Sequence, residues 1–157
     1  MKNQTSVERK SEREIVMKRT INGPARLVFE AWTKPELFIR WWVPKSCGFT
    51  VKSFEADIRT GGSYRLVFLY EGNELPFFGK YVEVTPSRIV WTNEESPDGP
   101  VTTVTFEEQN GKTLMVLTEL HPTKEACDAA LASGACEGTK ESFEQLDELV
   151  PTLPHAA

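Results

Sequence analysis

Apolar positions recur along this chain with two different periods, and the switch between them organises the sequence. Residues 1–12, MKNQTSVERKSE, are polar and aperiodic and read as a tail. Residues 13–21, REIVMKRTI, are apolar and β-branched, which predicts a first strand. Asn22-Gly23-Pro24 stops it, and Pro24 suits the first turn of a helix. Ala25, Val28, Phe29 and Trp32 keep helical spacing. A second short helix starts near Lys34-Pro35, carries Leu37, Phe38, Trp41 and Trp42, and ends before Pro44.

From Phe49 the period falls to two. Residues 49–59, 63–70, 76–85, 88–93, 101–108 and 113–120 read as strands. They are punctuated by Gly61-Gly62, Glu71-Gly72-Asn73, Pro86-Ser87, Pro97-Asp98-Gly99-Pro100 and Asn110-Gly111. Connections this short favour antiparallel neighbours. Tyr64, Leu66, Phe68 and Tyr70 share one face, which Val104 with Phe106 and Leu114 with Val116 continue.

The period then returns to that of a helix. Thr123 offers a cap, and one unbroken helix is predicted to Val150, before Pro151. Leu131, Ala135, Gly138, Ser142, Leu146 and Leu149 form its apolar stripe, while Glu137, Lys140, Glu141, Glu144, Asp147 and Glu148 form a solvated face. Ala, Gly and Ser at the stripe's centre are small for a helix that must fill the space under a curved sheet. This favours a hollow; the alternative is that small residues let helix and sheet approach closely. The fold class is α+β. A curved antiparallel sheet of six to seven strands wraps a long C-terminal helix, with two short helices after the first strand. Residues 13–151 form one domain and 152–157 a C-terminal tail.

A chain of 157 residues can bury a real core. A net charge of −5 lacks the basic footprint of a nucleic-acid binder. No apolar run approaches the roughly 20 residues of a membrane span. The N-terminus has no apolar core of a secretory signal, so the expected compartment is the cytoplasm. Cys47, Cys127 and Cys136 lack metal-ligand spacing and read as reduced small hydrophobes. Cys127 and Cys136, nine apart in one helix, would point to opposite sides.

Neither a nucleophile motif nor a phosphate loop, dinucleotide fingerprint or metal cluster is visible, so catalytic residues stay unassigned and no metal or cofactor is expected. The expected site is a pocket of about 300–1,000 Å³. Its walls are Tyr64, Leu66, Phe68, Tyr81, Trp91 and Phe106 from the sheet and Ala135, Thr139, Ser142 and Leu146 from the helix. Trp32, Trp41 and Trp42 lie on the helices that cap its open end, with Trp41 at the mouth. At least one of the adjacent Trp41 and Trp42 is core, because neighbours on a helix diverge by about 100°. If Tyr81 points inward, period two turns Glu83 inward as well; pairing with Arg88 or Arg65 is the alternative. Asp57 and Arg59, before Gly61-Gly62, suit turn stabilisation. His121, beside Pro122, and His155, in the tail, read as surface residues.

The order of elements is that of the helix-grip, START-like superfamily. Residues 24–42 (PARLVFEAWTKPELFIRWW), 54–65 (FEADIRTGGSYR), 79–92 (GKYVEVTPSRIVWT) and 133–150 (SGACEGTKESFEQLDELV) resemble the activator of heat-shock protein ninety ATPase homologue family, over residues 13–150. The named activator is a two-domain co-chaperone, and the resemblance is to its C-terminal domain. Relatives carry Gly-Trp in the closing helix where this chain has Gly138-Thr139, which implies a larger or reshaped pocket. The resemblance implies a pocket for a small hydrophobic molecule, lipid-like or polyketide-like, in a carrier or stress and resistance role. Two other functions stay open: a cyclase- or hydrolase-type enzyme using Glu83, Tyr81 or Asp57, and a module that modulates a chaperone partner. Nucleic-acid and membrane-spanning partners are not expected; monomer and homodimer both remain open.

Overall fold

The computed structural model describes residues 5–94, 97, 99–133 and 135–153. Eight strands form one antiparallel sheet: β1 (Ser6–Arg9), β2 (Glu14–Ile21), β3 (Thr50–Ala56), β4 (Ser63–Tyr70), β5 (Asn73–Thr85), β6 (Arg88–Thr92), β7 (Val101–Gln109) and β8 (Lys112–Leu120). Their order across the sheet is β1-β2-β8-β7-β6-β5-β4-β3. Among the described residues, four α-helices accompany it: α1 (Ala25–Thr33), α2 (Pro35–Trp41), α3 (Lys124–Ala132) and α4 (Ala135–Leu149). This is the α+β helix-grip architecture.

The sheet exceeds the six to seven strands expected because Ser6–Arg9, read as tail, pairs with β2 through Ser6↔Lys18 to Arg9↔Ile15. Nothing in a four-residue polar strand distinguishes it from a tail; the neighbouring edge recruits it through backbone bonds. The β7–β8 hairpin follows its sequence signal. Asn110 and Gly111 take φ of 54° and 80°, the left-handed pair that lets two strands turn back with matching twist.

The long strand β5 joins two parts of the sheet. Residues 73–80 pair with β4 and residues 81–85 with β6, so this strand passes from one part of the sheet to the next. Gly79 stands at the crossover, where a Cβ would lie 2.0 Å from the Thr92 carbonyl oxygen; a side chain does not fit. A bulge follows immediately, between Tyr81 and Glu83.

The predicted single helix from Thr123 to Val150 is two helices. Thr123 caps α3, its Oγ1 accepting from the Ala126 N–H at 3.0 Å. The first helix stops at Ala132, Ser133 is a turn, and α4 starts at Ala135. Gly134 lies outside the described residues. Cys127 and Cys136 therefore sit on different helices.

The core fills one half of the concave face. Ile15, Met17 and Ile21 of β2, Val104 of β7, and Met115 and Leu117 of β8 meet Leu27, Val28, Ala31, Trp41, Phe143 and Leu146. On β8 the inward face is Thr113, Met115 and Leu117, with Leu114 and Val116 half-buried, the reverse of the predicted face. Four apolar residues in a row leave no alternation to read.

Polar residues seat α4. Asp147, expected on the solvated face, is buried against Arg19 of β2, whose Nε and Nη2 donate to Asp147 Oδ2 at 3.1 and 2.9 Å. The Asn22 backbone N–H donates to Oδ1 of the same carboxylate at 2.9 Å. Gln145 Nε2 donates to the carbonyls of Trp41 and Val43, and its Oε1 accepts from the Lys45 N–H. Ser142 donates to the Trp42 carbonyl at 2.6 Å. Glu141 accepts from the Ser46 hydroxyl and N–H, which hold its carboxyl below the ordinary range.

Removing one partner of a buried ion pair leaves the other charge without compensation, typically at about 3–5 kcal/mol. Asp147→Ala is expected to lose about that much in urea denaturation. The double variant Arg19→Met/Asp147→Leu, which removes both charges, is expected to lose less.

Candidate functional site

The other half of the concave face is hollow. A cavity of about 390 Å³ lies between β3–β8 and the helices. Phe54 of β3, Tyr64, Leu66 and Phe68 of β4, Phe77 and Tyr81 of β5, and Ile89 and Trp91 of β6 line the sheet side. Trp32 of α1, Phe38 of α2 and Trp42 just beyond it cover one flank, and Ala130 and Ser133 with Thr139 of α4 another. Thr102, Leu117, Glu119 and His121, with Asn93 and Pro100, complete the wall.

Aromatic rings brace one another around this space. Trp32 lies 5.8 Å from Trp42 and 5.4 Å from Trp91, and Phe38 stacks on Trp42 at 5.0 Å. Tyr64 lies 5.5 Å from Tyr81 and Phe68 5.4 Å from Phe77. Such edge and tilted contacts stabilise the rings beyond their area burial, so they hold their positions around an empty centre. Polar atoms at the wall are partly engaged: the Tyr64 hydroxyl donates to the Thr92 carbonyl at 2.6 Å. Burial pushes the Tyr81 phenol above its ordinary value, so it stays a neutral hydroxyl.

Of the residues expected at the site, Tyr64, Leu66, Phe68, Tyr81, Trp91 and Thr139 line the cavity. Five do not. Trp41 is fully buried and its indole N–H donates to the Ala31 carbonyl at 2.9 Å, so of the adjacent pair it is the core member. Phe106 packs edge-on against Phe29 and Trp32 in the core. Leu146 is fully buried in the core, and Ser142 is turned to the segment after α2. The stripe's small residues answer to that same segment: a Cβ on Gly138 would lie 3.6 Å from Pro44 Cγ. Ser142 is held against that segment by its hydrogen bond, a Cβ on Gly138 would meet Pro44 only at ordinary contact distance, and the hollow lies beside them. The side chain of Ala135 lies outside the described residues.

Glu83 is the fifth. The bulge at Val82 adds one residue to β5, so Tyr81 pairs with Trp91 while Glu83 pairs with Val90 and turns outward. There it meets Arg88 at 3.1 Å. Asp57 pairs with Arg59 Nε at 2.8 Å within the Gly61-Gly62 turn. The carboxylates of Glu83 and Asp57, weighed as acid–base groups, are thus outside the cavity. Cys127 is buried and Cys136 half-buried, both free, with the Cys136 thiol raised by burial and by the charge of Glu119.

Sequence reasoning missed Phe54, Phe77, Ile89, Thr102, Leu117, Glu119 and, most consequentially, His121. Its backbone N–H donates to the Arg13 carbonyl at 2.8 Å, prolonging the β2–β8 ladder past Leu120. It therefore keeps the inward phase of Leu117 and Glu119, and its side chain is only 5% exposed, not a surface residue. The signal was available in the alternation Met115, Leu117, Glu119, His121, had the inward face of β8 been assigned correctly.

Fold and site together define a helix-grip protein with a pocket lined by aromatic residues. The family model for Activator of Hsp90 ATPase homolog 1-like protein matches residues 22–151, and the chain belongs to that family. A crystal structure of a protein from Nitrosomonas europaea superposes with a TM-score of 0.83 at 27% identity, covering 92% of this chain and 97% of that one. A second, from Rhodobacter sphaeroides, gives 0.87 at 20% identity, covering 96% and 100%. A solution structure of an AHSA1-like protein from Aeromonas hydrophila gives 0.73 at 19%, covering 92% and 98%. No curated protein matches. Among the described residues, no helix is long and apolar enough to cross a membrane.

The buried phenol has a consequence at high pH. An unfolded tyrosine loses its proton near pH 10, whereas folded Tyr81 retains it. Above about pH 10 the folded state binds more protons, so stability falls as pH rises. Relative to Tyr81→Phe, the wild type is expected to lose about 1.4 kcal/mol more by pH 11 in chemical denaturation.

Proposed function

We propose that this protein binds a small hydrophobic molecule, lipid-like or polyketide-like, in the cavity between the sheet and the C-terminal helices, as a carrier or in a stress or resistance role. The observation that carries the reading is a hollow of about 390 Å³ walled by braced aromatic rings where the other half of the same face is solidly packed. Protein interiors are otherwise close-packed, and holding rings apart around a void forfeits contact energy on every exposed face. A small apolar molecule restores those contacts. The volume lies within the usual range of small-molecule sites and corresponds to about a dozen waters at about 30 Å³ each. Family membership is consistent with this reading.

Thr139 tests it, because it lines the cavity from α4. The neutral probe N-phenyl-1-naphthylamine is expected to bind the wild type, with enhanced fluorescence and quenching of the wall tryptophans. Thr139→Trp places an indole in the space, gaining about 25 cal/mol per Å² of apolar area buried. Its thermal stability is expected to hold or rise while probe affinity falls about tenfold or more. A variant destabilised by the roughly 1–3 kcal/mol of overpacking, with probe binding equal to the parent's, would overturn the reading.

A further inference from the structure

We propose that Glu119 and His121 form a polar end to the cavity that selects a ligand carrying a hydroxyl donor, a phenol on a flat apolar ring system, over the corresponding carboxylate. The inference rests on the cavity reading and names its ligand class. The polar groups converge because three adjacent strands open here: β6 ends at Thr92, β7 begins at Val101 and β8 ends at Leu120. Thr102 stands directly opposite Glu119 in the β7–β8 register, and both line the cavity with His121.

The decisive atom is His121 Nε2. It is buried and makes no hydrogen bond. Buried polar atoms are almost always paired, so one left alone at a cavity wall marks the place where a bound molecule completes the pairing. Glu119 Oε1 stands 3.5 Å away, within ion-pair range and outside good hydrogen-bond geometry. Nε2 itself has almost no accessible surface, so a ligand hydroxyl reaches both groups only once the imidazole turns toward the cavity. The hydroxyl then accepts from Nε2–H and donates to the carboxylate, which satisfies both groups at once. A methyl ether cannot donate, and a carboxylate brings negative charge to Glu119. Among the described residues, no Lys or Arg lines the cavity to compensate that charge. The rings of Trp32, Trp42 and Trp91 suit a flat partner.

The test uses four ligands on one ring at pH 7: naphthalene, 2-naphthol, 2-methoxynaphthalene and 2-naphthoate, titrated by tryptophan fluorescence and calorimetry. With the wild type, 2-naphthol is expected to bind about tenfold more tightly than the ether or the carboxylate, the worth of a hydrogen bond to a charged group. In Glu119→Gln and in His121→Phe the naphthol-to-ether ratio is expected to fall below about threefold. Equal or tighter binding of 2-naphthoate overturns the proposal, as does a ratio near one in the wild type or one that survives in both variants. The wild-type series decides even where a variant fails to fold. If naphthalene and all three derivatives fail to bind, the cavity reading falls; if they bind without discrimination, only the polar end does.

Discussion

The way α4 is seated on the sheet governs everything else in this molecule. A helix carrying Gly138, Ser142, Gln145 and Asp147 toward its neighbours has too few large apolar side chains to be placed by burial alone. Directional bonds place it instead. Arg19 and Asp147 tie its C-terminal half to β2, and Gln145, Ser142 and Glu141 reach the backbone of residues 41–46. Buried polar contacts of this kind contribute little net energy, yet they penalise every misplaced register heavily, since each leaves a donor or acceptor unpaired. The helix consequently lies against β2 and α2, with Phe143 and Leu146 in the core, and leaves the other half open.

That division of the concave face produces the cavity. Its aromatic walls come from elements far apart in sequence: α1, α2, β3, β4, β5 and β6. Each ring rests on others, so the hollow is bounded by a framework with little freedom to collapse inward. The crossover at Gly79 and the bulge at Val82 bend β5 around the space, and the same bulge rotates Glu83 out of it. Charge is thereby cleared from the central walls and retained at the strand ends, where Glu119 and His121 stand. An apolar body with one polar terminus is the shape that this distribution complements.

How far the chain could be read in advance depended on whether a feature is local. The period-two strands, the Asn110-Gly111 hairpin, the Pro24 and Pro35 helix starts and the Thr123 cap rest on neighbouring residues, and they stand where expected. Tyr64, Leu66, Phe68, Tyr81 and Trp91 line the cavity because alternation carries through strands that are uninterrupted at those points. The misassigned residues share another cause. Glu83 was misplaced by one inserted residue, Phe106 and Leu146 face inward but over the filled half, and His121 was lost because the run 114–117 is apolar at every position.

The sequence by itself determined the types and order of the elements, the apolar face of most strands and the family to which the chain belongs, because those depend on periodicity and on contiguous motifs. Tertiary structure alone decided which part of the inward surface is core and which is cavity, that Asp147 is buried on Arg19, and that His121 joins Glu119 inside. Each of those depends on the position of one element against another more than 80 residues away, where a single bulge or a polar anchor moves a side chain from one environment to its opposite.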